Sequence, residues 1–231
     1  MNGPGRPGRA RMHLTAVLLA AGSARRFGAP KLLAPWRGRP LWEHALAALT
    51  SAPEVAETLV VVAPGAPAPP ARPRCRTVVN PEHAEGMGAS LRAGVRAAAA
   101  DTDAFLVALA DMPLVPPGLI AALVTCYGAG EKPIVVPVRA GRRGHPVLIG
   151  AALRDELLAV RGDVGARGVL AAHPDLVAAV ETADEGVLFD VDEPGDLGGA
   201  GETPGPGGAG EAPRPDGTGG ATGPGGREEA T

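Results

Sequence analysis

From residue 14 to residue 191 the chain repeats one rhythm: a short run of leucine and β-branched residues, a loop, then an alanine-rich stretch. The apolar runs are Leu14 to Ala20, Thr58 to Ala63, Arg76 to Val79, Ala104 to Ala110, Pro133 to Val138, Val177 to Glu181 and Val187 to Val191. The helical stretches are Leu41 to Thr50, Gly88 to Ala100, Pro117 to Tyr127, Ala151 to Ala159 and Gly165 to His173. Several runs are apolar at consecutive positions, which predicts strands covered on both faces. Strands alternating with helices predict an α/β fold with a mostly parallel, doubly wound sheet. Ligands in such sheets gather beyond the carboxyl ends of the strands, so the loops after strands are where chemistry is expected.

The rhythm has clear limits. Residues 1–12 are mainly Gly, Pro and Arg and read as a disordered arm, with Met12 an alternative start. Residues 198–231 contain no Val, Ile, Leu, Met or aromatic residue and read as a disordered Gly/Pro-rich tail. The folded domain is therefore expected over 13–197, long enough for one sizeable core. Arg9 and Arg11 before the run His13 to Ala21, with Gly22-Ser23-Ala24 after it, also resemble a short signal peptide. The run is short for that class, and the loop after it has a better explanation, so a core strand is the preferred reading.

Composition narrows the partners. A net charge of -3 gives no basic field for a polyanion, and 3% aromatic residues give no stacking platform, so nucleic acid is not expected. Cys75 and Cys126 are far apart and form no CxxC pair, which argues against a zinc knuckle or disulfide framework and fits a reducing cytoplasm. No other stretch has the length of a membrane span.

The first strand runs into Leu19-Ala20-Ala21-Gly22-Ser23-Ala24-Arg25-Arg26-Phe27-Gly28-Ala29-Pro30-Lys31. Small residues let backbone N–H groups approach phosphate oxygens. Arg26 can fork across two such oxygens, and Lys31 adds a mobile point charge. The loop is neither GxxxxGK[ST] nor GxGxxG. By residue type alone it reads as a solvated polar turn. It resembles, however, the L-A-A-G-x-S-x-R-x-G-x-x-K signature of the MobA-like nucleotidyltransferases, which include molybdenum cofactor cytidylyltransferases and guanylyltransferases. Leu19, Ala20, Ala21, Gly22, Arg26, Gly28 and Lys31 match, and the usual Ser falls on Ala24. The continuation Leu32-Leu33-Ala34-Pro35 and Gly38-Arg39-Pro40-Leu41 is also similar. The resemblance implies a Rossmann-like nucleotidyltransferase domain in which this loop grips a nucleoside triphosphate.

Five further segments carry the likeness. Asn80-Pro81 with Gly86, Ser90-Leu91 and Gly94 resembles the family segment near base and ribose, and a Gly-rich helix start suits such a ligand. Asp111-Met112-Pro113 follows a buried run, so its carboxylate is expected in the crevice. Asp190-Val191-Asp192-Glu193-Pro194-Gly195-Asp196-Leu197 resembles the family's D-x-D-x-P-x-D-L. Strand alternation would put Asp190 and Asp192 on one face. Gly141-Arg142-Arg143-Gly144-His145-Pro146 and Gly162-Asp163-Val164-Gly165-Ala166-Arg167 resemble acceptor-side motifs of the cytidylyltransferase branch. Taken alone, each also reads as an ordinary turn, a polar strand end or a solvated cation. His44, His83 and His173 stand isolated and are read as surface or loop residues.

The resemblance implies Mg²⁺ held by Asp111 and Asp192, with Asp190 behind them. It implies that Arg26 and Lys31 hold phosphates and that Ala20, Ala21, Gly22, Asn80, Gly86 and Ser90 line the nucleotide. His145 and Arg167 would face the acceptor. The expected reaction is transfer of CMP from CTP to molybdopterin, with Lys31, Asp111 and Arg26 central to it and a molybdenum enzyme receiving the product. Three alternatives stand: another base or acceptor, such as GMP transfer; an NAD(P)H-dependent enzyme like the nicotine blue oxidoreductases; and a non-catalytic carrier of the cofactor.

Overall fold

The computed structural model describes residues 12–22, 31–130 and 132–197. The arm before Met12, most of the loop containing Arg26, and the tail from residue 198 lie outside the described residues.

In chain order the elements are β1 (Leu14–Leu19), β2 (Pro35–Trp36), β3 (Arg39–Pro40), α1 (Leu41–Ser51), β4 (Val55–Val62), β5 (Cys75–Val79), α2 (Met87–Ala97), β6 (Ala104–Leu109), α3 (Leu119–Ala129), β7 (Ile134–Arg139), β8 (Arg142–Arg143), β9 (Val147–Gly150), α4 (Arg154–Ala159), α5 (Arg167–Ala172) and β10 (Val177–Glu181). The main sheet runs β10-β7-β9-β6-β1-β4-β5, with β8 paired to β7 at its margin. β1 pairs in parallel with both β4 and β6, so it is central, and every one of its residues is buried. Burial at every position is why the run shows no polar alternation. The apolar stretch weighed as a signal peptide is thus the middle strand of the sheet.

Alternation along β1 divides the core in two. Leu14, Ala16 and Leu18 pack with Trp42, Ala45, Leu46 and Leu49 of α1 and with Leu119, Ile120 and Leu123 of α3. Val17 and Leu19 pack on the other face with Leu91 and Val95 of α2, Leu157 of α4 and Leu170 of α5. The five helices therefore cover both faces, as a doubly wound sheet requires. In α1 the buried residues Leu41, Trp42, Ala45, Leu46 and Leu49 make one stripe at helical spacing.

The connections set where a ligand can sit. From β1 the chain goes to β4 and β5 on one side and later returns to β6 on the other. Leu19 is level with Val61 of β4 and Leu109 of β6, so three strand ends open onto one crevice. That divergence is the usual ligand position in open α/β sheets.

Two strand expectations need correction. Val187 to Val191 is not a strand: Glu185–Leu188 forms a 3-10 turn. Asp184 Oδ1 captures the Gly186 N–H at 2.7 Å, and the segment then makes single backbone bonds, Val187 O from His145 N–H at 2.9 Å and Val191 N–H to Asp111 O at 3.0 Å. It crosses the sheet end instead of running along it. The reverse case is β9, which the rhythm did not announce. It pairs antiparallel with both β6 and β7. No helix lies between β7 and β9, and a parallel return needs one. Ala140 and Gly141 both have positive φ, the signature of a tight two-residue hairpin, and they turn β7 back into β8. The expected arm also ends one residue early, because Met12 already packs against the core. Among the described residues, no helix is long and apolar enough to cross a membrane.

Gly94 fixes how closely α2 lies on the sheet. A Cβ there would collide with the Val17 side chain and lie 3.1 Å from Val61 Cγ2. Valine side chains are stiff, so neither neighbour yields easily. Gly94→Val is expected to cost about 1–3 kcal/mol by overpacking, read as a lower midpoint in thermal denaturation. An unchanged midpoint would mean that α2 can ride outward freely.

Candidate functional site

Three acids and one lysine converge at the crevice. Ala20 and Ala110 each extend the ladder one residue past the strands: Ala20 N–H bonds Val61 O at 2.8 Å and Ala110 N–H bonds Leu19 O at 3.1 Å. Asp111 comes next, so a rigid sheet end delivers its carboxylate. Lys31 begins a 3-10 turn just before β2. Its side chain is only 10% exposed, and Nζ donates to Asp111 Oδ2 at 3.0 Å and Asp192 Oδ1 at 3.2 Å. Burial alone would lower the pKa of Lys31, but Asp111 and Asp192 together outweigh it and raise it above 10.5. The lysine is a fixed cation at neutral pH.

A small apolar cluster holds these parts together. Trp36, Leu41 and Val191 are buried against one another, with Leu114, Phe189 and Leu197 packed around them. Each of the three charged residues lies close in sequence to a member of this cluster: Trp36 is five residues after Lys31, Leu114 three after Asp111, and Val191 directly before Asp192. The segment after Val191 is braced as well, since Asp196 Oδ2 accepts the N–H groups of Asp192 and Glu193, both at 2.8 Å. Those two donors hold the Asp196 carboxyl below its usual range. Asp190 is pushed up by burial first and then by the charges of Asp192 and Asp111. The expected grouping of Asp190 with Asp192 therefore holds without the strand that motivated it, because Val191 turns inward between them.

The predicted nucleotide residues fall into two groups. Ala20, Ala21 and Gly22 lie directly beyond β1, with Ala21 buried and Gly22 exposed. Arg26 lies outside the described residues. Asn80 and Ser90 come together, but as a buried pair 2% and 4% exposed. Asn80 Nδ2 donates to Ser90 Oγ at 3.1 Å while Asn80 Oδ1 accepts the Glu82 N–H at 3.0 Å. Their side chains tie the end of β5 to the start of α2. Gly86 is needed for a close approach: at φ 105°, its Cβ would lie 2.9 Å from the Gly162 backbone. The Met87 N–H, at the start of α2, bonds Asp163 Oδ1 at 3.1 Å. The two motifs containing Gly86 and Asp163 thus form one interlock, a relation that their separation in sequence conceals.

Of the two residues expected to face the acceptor, His145 sits in the crossing between β8 and β9, next to a cis peptide bond to Pro146. Its Nδ1 is buried without a partner. Burial, then the nearby Arg167, lower its pKa below 6.5, against weaker support from the Val107 carbonyl and Asp111. The ring is therefore neutral at pH 7. Arg167 is exposed at the first turn of α5. The site thus grades from acids around Lys31 to a neutral ring and a surface cation. Of the isolated histidines, His173 pairs with Glu156, and His44 contacts the Trp36 carbonyl at 2.8 Å and its ring edge-on at 4.6 Å between centroids.

A depressed histidine pKa makes folding depend on pH. The unfolded ring binds a proton near 6.5 and the folded ring only at lower pH, so stability is complete above 6.5 and is lost as pH falls through that window. Between pH 8 and pH 5 the wild type is expected to lose more thermal stability than His145→Gln. Parallel curves would mean that the ring accepts a proton without penalty. Asp163→Ala should cost about 0.5–2 kcal/mol by removing the cap of α2, measurable by denaturant unfolding.

The chain is 38% identical over 189 residues to a nicotine blue oxidoreductase of Paenarthrobacter nicotinovorans, covering 78% of this chain and 92% of that protein. It is 36% identical over 125 residues to a probable molybdenum cofactor guanylyltransferase of Thermococcus kodakarensis, covering 54% and 59%. Its fold is similar to that of a nucleotidyl transferase from Methanothermobacter thermautotroptrophicus, with a TM-score of 0.63, 25% identity, and coverage of 80% of this chain and 94% of that one. Residues 16–177 match the MobA-like NTP transferase domain, and the chain belongs to that family of nucleotidyltransferases.

Proposed function

We propose that the protein transfers CMP from CTP to a molybdopterin-like phosphorylated acceptor and releases pyrophosphate. One observation carries this reading: Lys31, Asp111 and Asp192 meet within 3.2 Å at the end of the central strands. A triphosphate in the crevice beyond Gly22 would take Lys31, with Arg26, as its counter-charges. An oxygen of the acceptor phosphate attacks the α-phosphorus, and the bond from that phosphorus to the pyrophosphate oxygen breaks. The chain contributes positioning and charge, with no covalent enzyme intermediate.

The residues present fit a divalent metal. Asp111 and Asp192 already enclose a positive charge, and hard cations take carboxylate oxygens. Bound there, Mg²⁺ would neutralise the charge developing on the phosphates. Asp111 would be held by the end of β6, and Asp192 by the segment that Asp196 braces. His145 and Arg167 suit the acceptor side: a neutral ring offers a hydrogen bond, and an exposed guanidinium offers a fork for phosphate. The acceptor-side motifs around His145 and Arg167 favour cytidylyl over guanylyl transfer. A molybdenum enzyme would then receive the product.

The second reading is an NAD(P)H-dependent reductase, favoured by the oxidoreductase relative that covers most of this chain. Hydride transfer makes no call on paired carboxylates beside a lysine, and the two GxGxxG spacings in the sequence, Gly3 to Gly8 and Gly205 to Gly210, lie in its Gly/Pro-rich ends and follow no apolar run that could be the strand of a dinucleotide fingerprint.

A thermal-shift series with CTP, GTP, ATP and NADH, each with and without Mg²⁺, separates the readings. Ligand at about 100 times its Kd should add roughly 2.7 kcal/mol. A Mg²⁺-dependent shift with CTP alone supports cytidylyl transfer, and a shift with NADH alone favours the reductase. Asp111→Asn is expected to lower kcat/KM by about 10²–10³, as removal of one stabilising charge contact usually does, while the protein stays folded. Full activity in that variant would remove Asp111 from the reaction.

A further inference from the structure

The carboxylates read above as metal ligands are occupied by the chain itself. Lys31 Nζ bonds both, at 3.0 and 3.2 Å, and among the described residues no other cation is paired with either. The ammonium is not a loose surface charge: its side chain is 10% exposed, and it begins a short turn directly before β2. A divalent ion bound by the same two oxygens would need the space and the charge that Nζ now supplies. Metal and ammonium cannot share that position. The lysine stem is flexible, so its head can move to another anion without moving the turn. A triphosphate beyond Gly22 would provide that anion.

We propose that Lys31 is a tethered stand-in for the metal. It fills the place between Asp111 and Asp192 until a nucleoside triphosphate draws it away, so metal binds poorly alone and well together with nucleotide. The proposal rests on the reading of Asp111 and Asp192 as metal carboxylates. It adds an order to the site: the triphosphate recruits the lysine, and the vacated carboxylates recruit the metal. Linkage makes the effect reciprocal, so metal strengthens triphosphate binding by the same factor. A free divalent ion then cannot lock the empty site.

The test uses Mn²⁺ alone, titrated into the full chain without nucleotide and followed by the electron paramagnetic resonance signal of the free ion. Lys31→Met removes the charge and keeps most of the stem, and Lys31→Arg keeps the charge. The Met variant is expected to bind Mn²⁺ at least about five-fold more tightly than wild type, the low end of ordinary coupling between sites. The Arg variant is expected to bind as weakly as wild type. Adding Asp111→Asn to Lys31→Met should abolish the gain. Equal affinity of wild type and Lys31→Met overturns the proposal. If Asp111→Asn then still weakens Mn²⁺ binding in the presence of CTP, the metal reading survives that failure. A gain that persists in the double variant places the ion elsewhere and overturns both. Thermal melts check folding, and tight Mn²⁺ binding by the charge-retaining Arg variant would also count against the proposal.

Discussion

Two carboxylates at one sheet end repel each other unless a positive charge lies between them, and Lys31 supplies it here. The dependence is mutual. A lysine head withdrawn from water needs anionic partners, and the acids need the lysine to stay ionised together. The surrounding design follows from this requirement. β1 and β6 end level, so the crevice is open where Asp111 arrives. The Trp36–Leu41–Val191 cluster then brings the segment around Val191 back to the residues that follow Lys31. Charge chooses the partners, and the apolar cluster adds the hold that a desolvated ion pair does not supply by itself.

A second junction joins the two halves of the crevice. Gly86 lets α2 begin against the Gly162 turn, and Asp163 caps that helix from outside it. Arg92 works nearby, buried and bonded to the Val160 carbonyl at 2.8 Å and to the carboxylates of Glu82 and Glu85. The loop read as nucleoside-facing and the loop read as acceptor-facing are therefore parts of one rigid piece. A shift in either would be felt by the other.

Much of this was legible in the sequence. The run Leu14 to Leu19 announces itself as a central strand because burial on both faces removes every polar residue but Thr15. Asp111 is legible because it ends such a run. What stayed hidden has physical causes. β9 is four residues long and antiparallel, and a rule built on helical crossovers cannot see it. Val187 to Val191 has the composition of a strand but is diverted by the Asp184 side chain. The resemblance sets Asn80 and Ser90 near the nucleotide, and no local pattern announces that their side chains bond each other. The lysine bridge depends on contacts across 80 and 161 residues, which no local pattern encodes.

Those long separations bear on how the protein comes into being. A chain emerging from the ribosome can lay down β1, β4, β5 and β6 in turn, each beside a strand already made. The charged centre cannot close in that way. Lys31 emerges early and must wait for Asp192, 161 residues later, before its surroundings are complete. Until then the crevice has a lysine and one acid, and no apolar cluster to hold them. A product cut short before residue 190 would carry nearly all of the sheet without the finished centre. Closure of the charged centre is thus tied to the arrival of residues 190–197, long after the strands that flank it.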